Sequence, residues 1–237
     1  LTDTESEPVG ISFGSANVFA EGNSIHQKYQ RWLLDMGAAH AIEFEVEHSG
    51  LRIAGAIDAV LTKEYEAIVE IKSIGIGTIR HESQGLYQAY QEGLSVEDLW
   101  ARINRPFPSH LRQGFLYLWL LRNGYFMTSP DDEEWLRKIE RVVFLYEFKA
   151  NQQVKEFVAT FNQAMIQPIL EDAREVTLSV KHGIIPDRPR WAEEDHRDCK
   201  ACPYRKVCWS VQVTTTTPVK RAPSRLRRKA LGRTANG

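Results

Sequence analysis

Asp58, Glu70 and Lys72 are the residues whose types and spacing could do chemistry. Asp58 closes Gly55-Ala-Ile-Asp58, and the other two lie in Ile68-Val-Glu70-Ile-Lys72. Both stretches fall in apolar, β-prone runs, 51–61 and 67–71. On a strand, residues two apart point to the same face, so Glu70 and Lys72 project together while Val69 and Ile71 face the other way. A buried strand does not normally place two charges on one face without compensation. An exposed strand with a surface ion pair would show the same pattern, but Ile57, Val60, Ile68, Val69 and Ile71 are too apolar for an exposed edge. Carboxylates are hard oxygen ligands suited to Mg²⁺ or Mn²⁺. A neighbouring lysine could orient a water or steady developing negative charge.

The elements that must position these groups can be read around them. Ala41-Ile-Glu-Phe-Glu-Val-Glu47 alternates like a half-buried strand. With a turn at Gly50 it forms a β-meander with the Asp58 and Glu70 runs, Lys63, Glu64 and Glu66 occupying the second turn. Upstream, Ile25, Tyr29, Trp32, Leu33 and Met36 recur at helical spacing. The helix is expected to start near Asn23 or Ser24, either a good N-cap, and to end near Gly37. Residues 1–20, with Pro8, Gly10 and Gly14, read as irregular. Gly75 and Gly77 break the pattern, and a helical segment within 78–109 is expected to border a substrate groove. His110 to Leu121 predicts a buried helix in which Gln113 and Tyr117 share a face. Arg141–Phe148 reads as a strand. Val154 to Val180 reads as a helix interrupted at Pro168, from the spacing of Val154, Phe157, Val158, Phe161, Met165 and Ile169.

Gly22 to His26, Gly55 to Asp58, Glu70 to Lys72 and Gln113 to Tyr117 reproduce, in order, the patterns G-x-x-x-H, G-x-x-D, E-x-K and Q-x-x-x-Y. On these motifs the chain resembles the PD-(D/E)XK nuclease superfamily, and within it the RecB-like branch. The resemblance implies an α/β fold with the restriction-endonuclease-like core αβββαβ, added helices and a C-terminal cysteine segment. It implies Mn²⁺- or Mg²⁺-dependent cleavage of DNA, with Asp58, Glu70 and the backbone carbonyl of Ile71 as ligands. His26 would be a further ligand, its imidazole favouring Mn²⁺. Lys72 would orient the attacking water or stabilise the phosphorane-like charge. Gln113 and Tyr117 would hold the DNA backbone and pack beneath the site. Two metals would clamp the attacking and leaving oxygens.

All three cysteines lie in Cys199-Lys-Ala-Cys202-Pro-Tyr-Arg-Lys-Val-Cys208. A clustered, odd set points to a metal rather than a disulfide framework. Zinc takes four ligands and an iron–sulfur cluster usually takes four thiolates, so a fourth ligand is not identified. His182 and His196 are conceivable. The C-x₂-C-x₅-C ending is similar to that of CRISPR-associated RecB-like exonucleases and AddB-type nuclease domains, which implies an iron–sulfur cluster, most simply 4Fe-4S, with zinc as the alternative. In those relatives the fourth cysteine lies upstream of the histidine motif, and this sequence has none there.

The 237 residues, 43% hydrophobic and 26% charged, fit an ordinary soluble domain. No apolar run is long enough to span a membrane, and the thiol usage fits a reducing cytoplasm. One nuclease domain is expected over 1–213, including a cysteine segment at 186–210, followed by a basic tail over 214–237. From Pro218 onward there are seven positive charges and no acids, so the rest carries about −8 (−1 less 7). Such a tail is either a solvated extension or a phosphate contact. The expected substrate is single-stranded DNA or DNA ends, with protein partners of a recombination or CRISPR adaptation complex. The competing reading is a non-catalytic DNA-end-binding or partner-binding module with a structural metal cluster.

Overall fold

The computed structural model describes residues 13–127, 134–183, 188, 192–200 and 202–210. Of the segment 1–20 expected to be irregular, residues 1–12 lie outside them, as does the basic tail 214–237, while 13–20 are helical. The described residues fall in two compact units, one within Gly10–Ile184 and one within Ile185–Gly237.

The larger unit is built on a five-stranded sheet in the order β1-β2-β3-β4-β5. Helix α1 (Phe13–Asp35) precedes β1 (Ala39–His48), a 3₁₀ turn (Ser49–Leu51), β2 (Ile53–Leu61) and β3 (Ala67–Ile74). Three short helices follow: α2 (Ile76–Glu82), α3 (Gln84–Gln91) and α4 (Val96–Ala101). Then come α5 (Pro108–Arg122), β4 (Arg141–Phe148), β5 (Val154–Thr160) and α6 (Gln163–Lys181). The meander β1-β2-β3 is antiparallel, β4 joins β3 in parallel, and β5 returns antiparallel at the edge. A parallel neighbour requires a long crossover, which here passes through α2 to α5. This is the αβββαβ core, with added helices.

The two faces of the sheet are buried under different helices. Val60, Ile68, Ile74, Val142, Phe144, Tyr146 and Phe148 pack with Leu118, Leu120 and Leu121 of α5 and with Leu99 and Trp100 of α4. On the other face Ala59, Leu61, Ala67, Val69 and Ile71 pack with Ile25 and Tyr29 of α1. Each fully buried aliphatic side chain contributes about 1.5–3 kcal/mol. Gly114 lets α5 approach closely: a β-carbon there would stand 2.8 Å from Phe144 Cζ.

Three local expectations are corrected. Helix α1 begins by Phe13, about three turns before the expected start. Ser24 is therefore not an N-cap but donates its hydroxyl back to the Ala20 carbonyl at 3.0 Å. Gly14 and Gly22 disguise this part, since glycine costs about 1 kcal/mol in a helix. Residues 154–160 form β5 rather than helix: exposure alternates residue by residue and β4 supplies the ladder. The apolar spacing there fits both periods, and pairing with β4 decides. Pro168 interrupts nothing and lies inside α6. Its missing N–H removes one hydrogen bond, to the Ala164 carbonyl, and the helix continues on both sides.

In the second unit, α7 (Arg197–Lys200) and α8 (Arg205–Ser210) flank a tight turn. Amide N–H groups of Cys202 and Arg205 donate to the carbonyls of Cys199 and Cys202, both at 3.1 Å.

Candidate active site

The site forms where β2 and β3 separate. Their ladder consists of Ala59 opposite Val69 and Val60 opposite Ile68. Beyond it, the Asp58 carboxylate takes the place of a backbone partner: Oδ2 accepts the Ile71 N–H at 2.6 Å. Asp58 is thereby drawn against the Glu70-Ile71-Lys72 segment, and both acids are buried, Asp58 at 8% and Glu70 at 1% exposure. His26, on α1, places Nδ1 3.2 Å from Asp58 Oδ1.

Glu70 and Lys72 share the strand face expected from their spacing. Lys72 Nζ donates to Glu70 Oε2 at 2.8 Å and to Gln113 Oε1 at 2.8 Å. An ammonium only donates, so the Gln113 amide must turn its oxygen to Lys72. Its NH₂ group then donates to the Tyr117 hydroxyl at 3.2 Å. Tyr117 is buried beneath Gly55, where a β-carbon would stand 2.8 Å from the phenol oxygen. Burial raises the Tyr117 pKa, keeping the hydroxyl protonated.

Glu70 carries the main electrostatic tension. Burial pushes its carboxyl up from 4.5 to about 7; Lys72 opposes the rise, Asp58 adds to it, and His26 opposes it. Its second oxygen, Oε1, is buried with no hydrogen-bond partner. A buried, unpaired carboxylate oxygen costs free energy unless a proton or cation meets it. Among the described residues, however, no three His, Cys, Asp or Glu side chains stand close enough together to hold a metal ion ready-made.

The structure thus brings His26, Asp58, Glu70, Lys72, Gln113 and Tyr117 together from α1, β2, β3 and α5. The Ile71 N–H is engaged by Asp58. Gln113 spends its amide on Lys72 and Tyr117, so its contacts are to the protein's own site. The three cysteines are unbridged and partly buried. Arg188 lies over the Trp209 ring at 4.2 Å and donates to the Cys208 carbonyl.

Further groups surround the site that the sequence reading assigned no role. Gln30, one turn after His26, donates to the Asp58 backbone carbonyl at 3.2 Å. His110 Nδ1 lies 2.5 Å from the Tyr146 hydroxyl. Burial, with Lys72 adding, lowers the His110 pKa to about 4, so this imidazole is neutral. On the opposite face of the sheet, the buried Glu147 accepts from Lys28 of α1. The spacing of Gln30 to His26 and of His110 to Gln113, one helical turn each, was the available signal.

A sequence profile described as the PD-(D/E)XK nuclease superfamily matches residues 17–209. Among curated proteins none matches the chain. Among solved structures, the protein SSO0001 is similar at 18% identity over 79% of this chain and 68% of its own, with a TM-score of 0.42. An alkaline exonuclease from Laribacter hongkongensis is similar at 9% identity over 70% of this chain and 69% of its own, with a TM-score of 0.35.

Proposed function

Since the chain belongs to the PD-(D/E)XK nuclease superfamily, we propose that it is a divalent-metal-dependent DNA nuclease working at Asp58, Glu70 and Lys72. The observation that carries this reading is Glu70 Oε1: a buried carboxylate oxygen without a partner, beside a second acid and a lysine. That donor set fits Mn²⁺ or Mg²⁺. Asp58 and Glu70 would hold the ion, with the Ile71 carbonyl, and His26 would add its Nε2, since Nδ1 faces Asp58. When bound, a divalent ion supplies Lewis-acid stabilisation of phosphate oxygens and a more acidic bound water.

The protein's own groups do the rest. Lys72, tethered by Gln113, holds its ammonium at the mouth of the acid pair, where it orients a water for in-line attack or meets charge developing on phosphorus. Protonated Tyr117 fixes the Gln113 amide and so the direction of Lys72. Excluded water at Glu70 strengthens each of these interactions.

Exonucleolytic action on single-stranded DNA or DNA ends is the form we propose, in recombination, repair, CRISPR adaptation or phage DNA metabolism, inside the cytoplasm and alongside protein partners. RecB-like motif order supports that placement. Cys199, Cys202 and Cys208 are proposed to hold a 4Fe-4S cluster with a fourth ligand from elsewhere, zinc being the alternative. Their C-x₂-C-x₅-C spacing supports a cluster.

Incubation of end-labelled DNA with Mn²⁺ tests the catalytic assignment. Lys72→Ala is expected to slow cleavage by about 10²–10³-fold, the range seen when one stabilising donor is removed. Equal degradation by both proteins overturns the assignment. A second reading, a DNA-end-binding module with a weak site, is favoured by the lack of a preassembled three-residue ligand group among the described residues. It requires that the unaltered protein bind DNA ends and cleave none with Mn²⁺.

A further inference from the structure

Asp58 occupies a place where the sheet does not hold its own backbone. On the β1 side the ladder joins Ile42 to Ala59 and Phe44 to Ile57, and no pair forms between Glu43 and Asp58. Glu43 is in the left-handed region, φ 48°, which breaks the strand's regular hydrogen bonding at that point. On the β3 side the ladder ends at Ala59. The residue expected to hold a metal therefore lacks ladder partners on both flanks. A strand residue in that condition must be fixed by side chains, or its buried carbonyl is left unsatisfied.

Gln30 fills the gap. It is buried on α1, and its Nε2 donates to the Asp58 carbonyl at 3.2 Å and to the Glu43 carboxylate. One primary amide nitrogen carries two hydrogens, and here both acceptors are met. No other side chain of this size and neutral charge supplies two donors from one atom. His26 lies one turn earlier on the same helix face and meets the Asp58 carboxylate. Helix α1 thus grips Asp58 at two points, the side chain through His26 and the main chain through Gln30.

We propose that Gln30 is a positioning residue that sets the Asp58 carboxylate for metal binding, and that Glu43 orients Gln30 for this task. The inference rests on the metal-nuclease reading of the site. Without Gln30, the Asp58 carbonyl loses its side-chain donor, and only the His26 and Ile71 N–H contacts are left to hold the carboxylate in place. Groups that only orient a metal ligand typically change metal affinity by about 10–100-fold when removed.

The test is Mn²⁺ affinity of the full chain, followed by the electron paramagnetic resonance of free Mn²⁺, with thermal unfolding of the same samples. Gln30→Met removes both donors at similar volume and is expected to weaken Mn²⁺ binding about tenfold. Glu43→Gly removes the acceptor at an exposed position where glycine accepts the positive φ. It is expected to weaken Mn²⁺ binding by a smaller, measurable factor without lowering Tm. Affinity equal to the unaltered protein in folded Gln30→Met, even with a lower Tm, overturns the proposal. Should Gln30→Met not fold, Glu43→Gly decides in the same way, and unchanged affinity overturns it. Asp58→Asn separates the two levels. If it abolishes Mn²⁺ binding while Gln30→Met leaves it intact, the positioning role alone fails. If Asp58→Asn binds as before, the site reading and the proposal fail together.

Discussion

Glu70 concentrates the chemistry of the site in one carboxyl group. Its neutral form is favoured in the folded protein because burial raises its pKa from 4.5 to about 7. The sign follows directly. Between those values the folded state binds more protons than the unfolded state, so stability falls as pH rises through the interval. A divalent ion takes the place of the proton and needs the ionised group. The rise in Tm on adding Mn²⁺ is therefore expected to be larger at about pH 8 than at about pH 5.5. Differential scanning fluorimetry at both values checks this, and an equal rise at both would remove Glu70 from the ligand set. Lys72 belongs to the same group: its ammonium meets Glu70 Oε2, while Oε1 remains unmatched.

At the level of elements, two close approaches set the site. Gly114 lets α5 settle onto β4, and Gly55 lets the Tyr117 ring lie against β2. A methyl group at position 55 would meet Tyr117 Oη at 2.8 Å and Cε1 at 2.9 Å. Gly55→Ala is expected to destabilise by about 1–3 kcal/mol, the usual cost of overpacking. Because Tyr117 holds Gln113 and Gln113 holds Lys72, cleavage should fall beyond what the lost stability explains. Truncating the ring in Gly55→Ala/Tyr117→Leu should give a destabilisation smaller than the sum of the two single changes. Strict additivity, measured by urea unfolding, would mean that the ring and position 55 do not meet. Helix α1 contributes differently, by carrying His26 and Gln30 to one residue of β2.

For the whole molecule, the open chemistry is at the cysteines. The short helices α7 and α8 carry Cys199 and Cys208 on either side of Cys202, and among the described residues no three candidate ligands are close enough to hold a metal. Protein purified without oxygen is expected to be brown, with a visible charge-transfer band lost in Cys202→Ala. A colourless protein containing stoichiometric zinc would assign the segment to zinc, and one containing neither metal would remove the cluster. No helix among the described residues is long and apolar enough to cross a membrane.

The sequence by itself determined the meander, the strand at 141–148, the buried α5 helix and the shared face of Glu70 and Lys72. Each follows from a local period, two on a strand or 3.6 on a helix, together with residue type. Those same rules misplaced residues 154–160, where both periods fit and only pairing with β4 chose the strand. They also missed the start of α1, because glycine spacing masked it. Tertiary structure alone decided that β2 and β3 part at Asp58, that Gln30 occupies the resulting gap, and that Glu70 Oε1 is left without a partner. These are contacts between residues far apart in the chain, set by how the elements pack, and no local pattern encodes them.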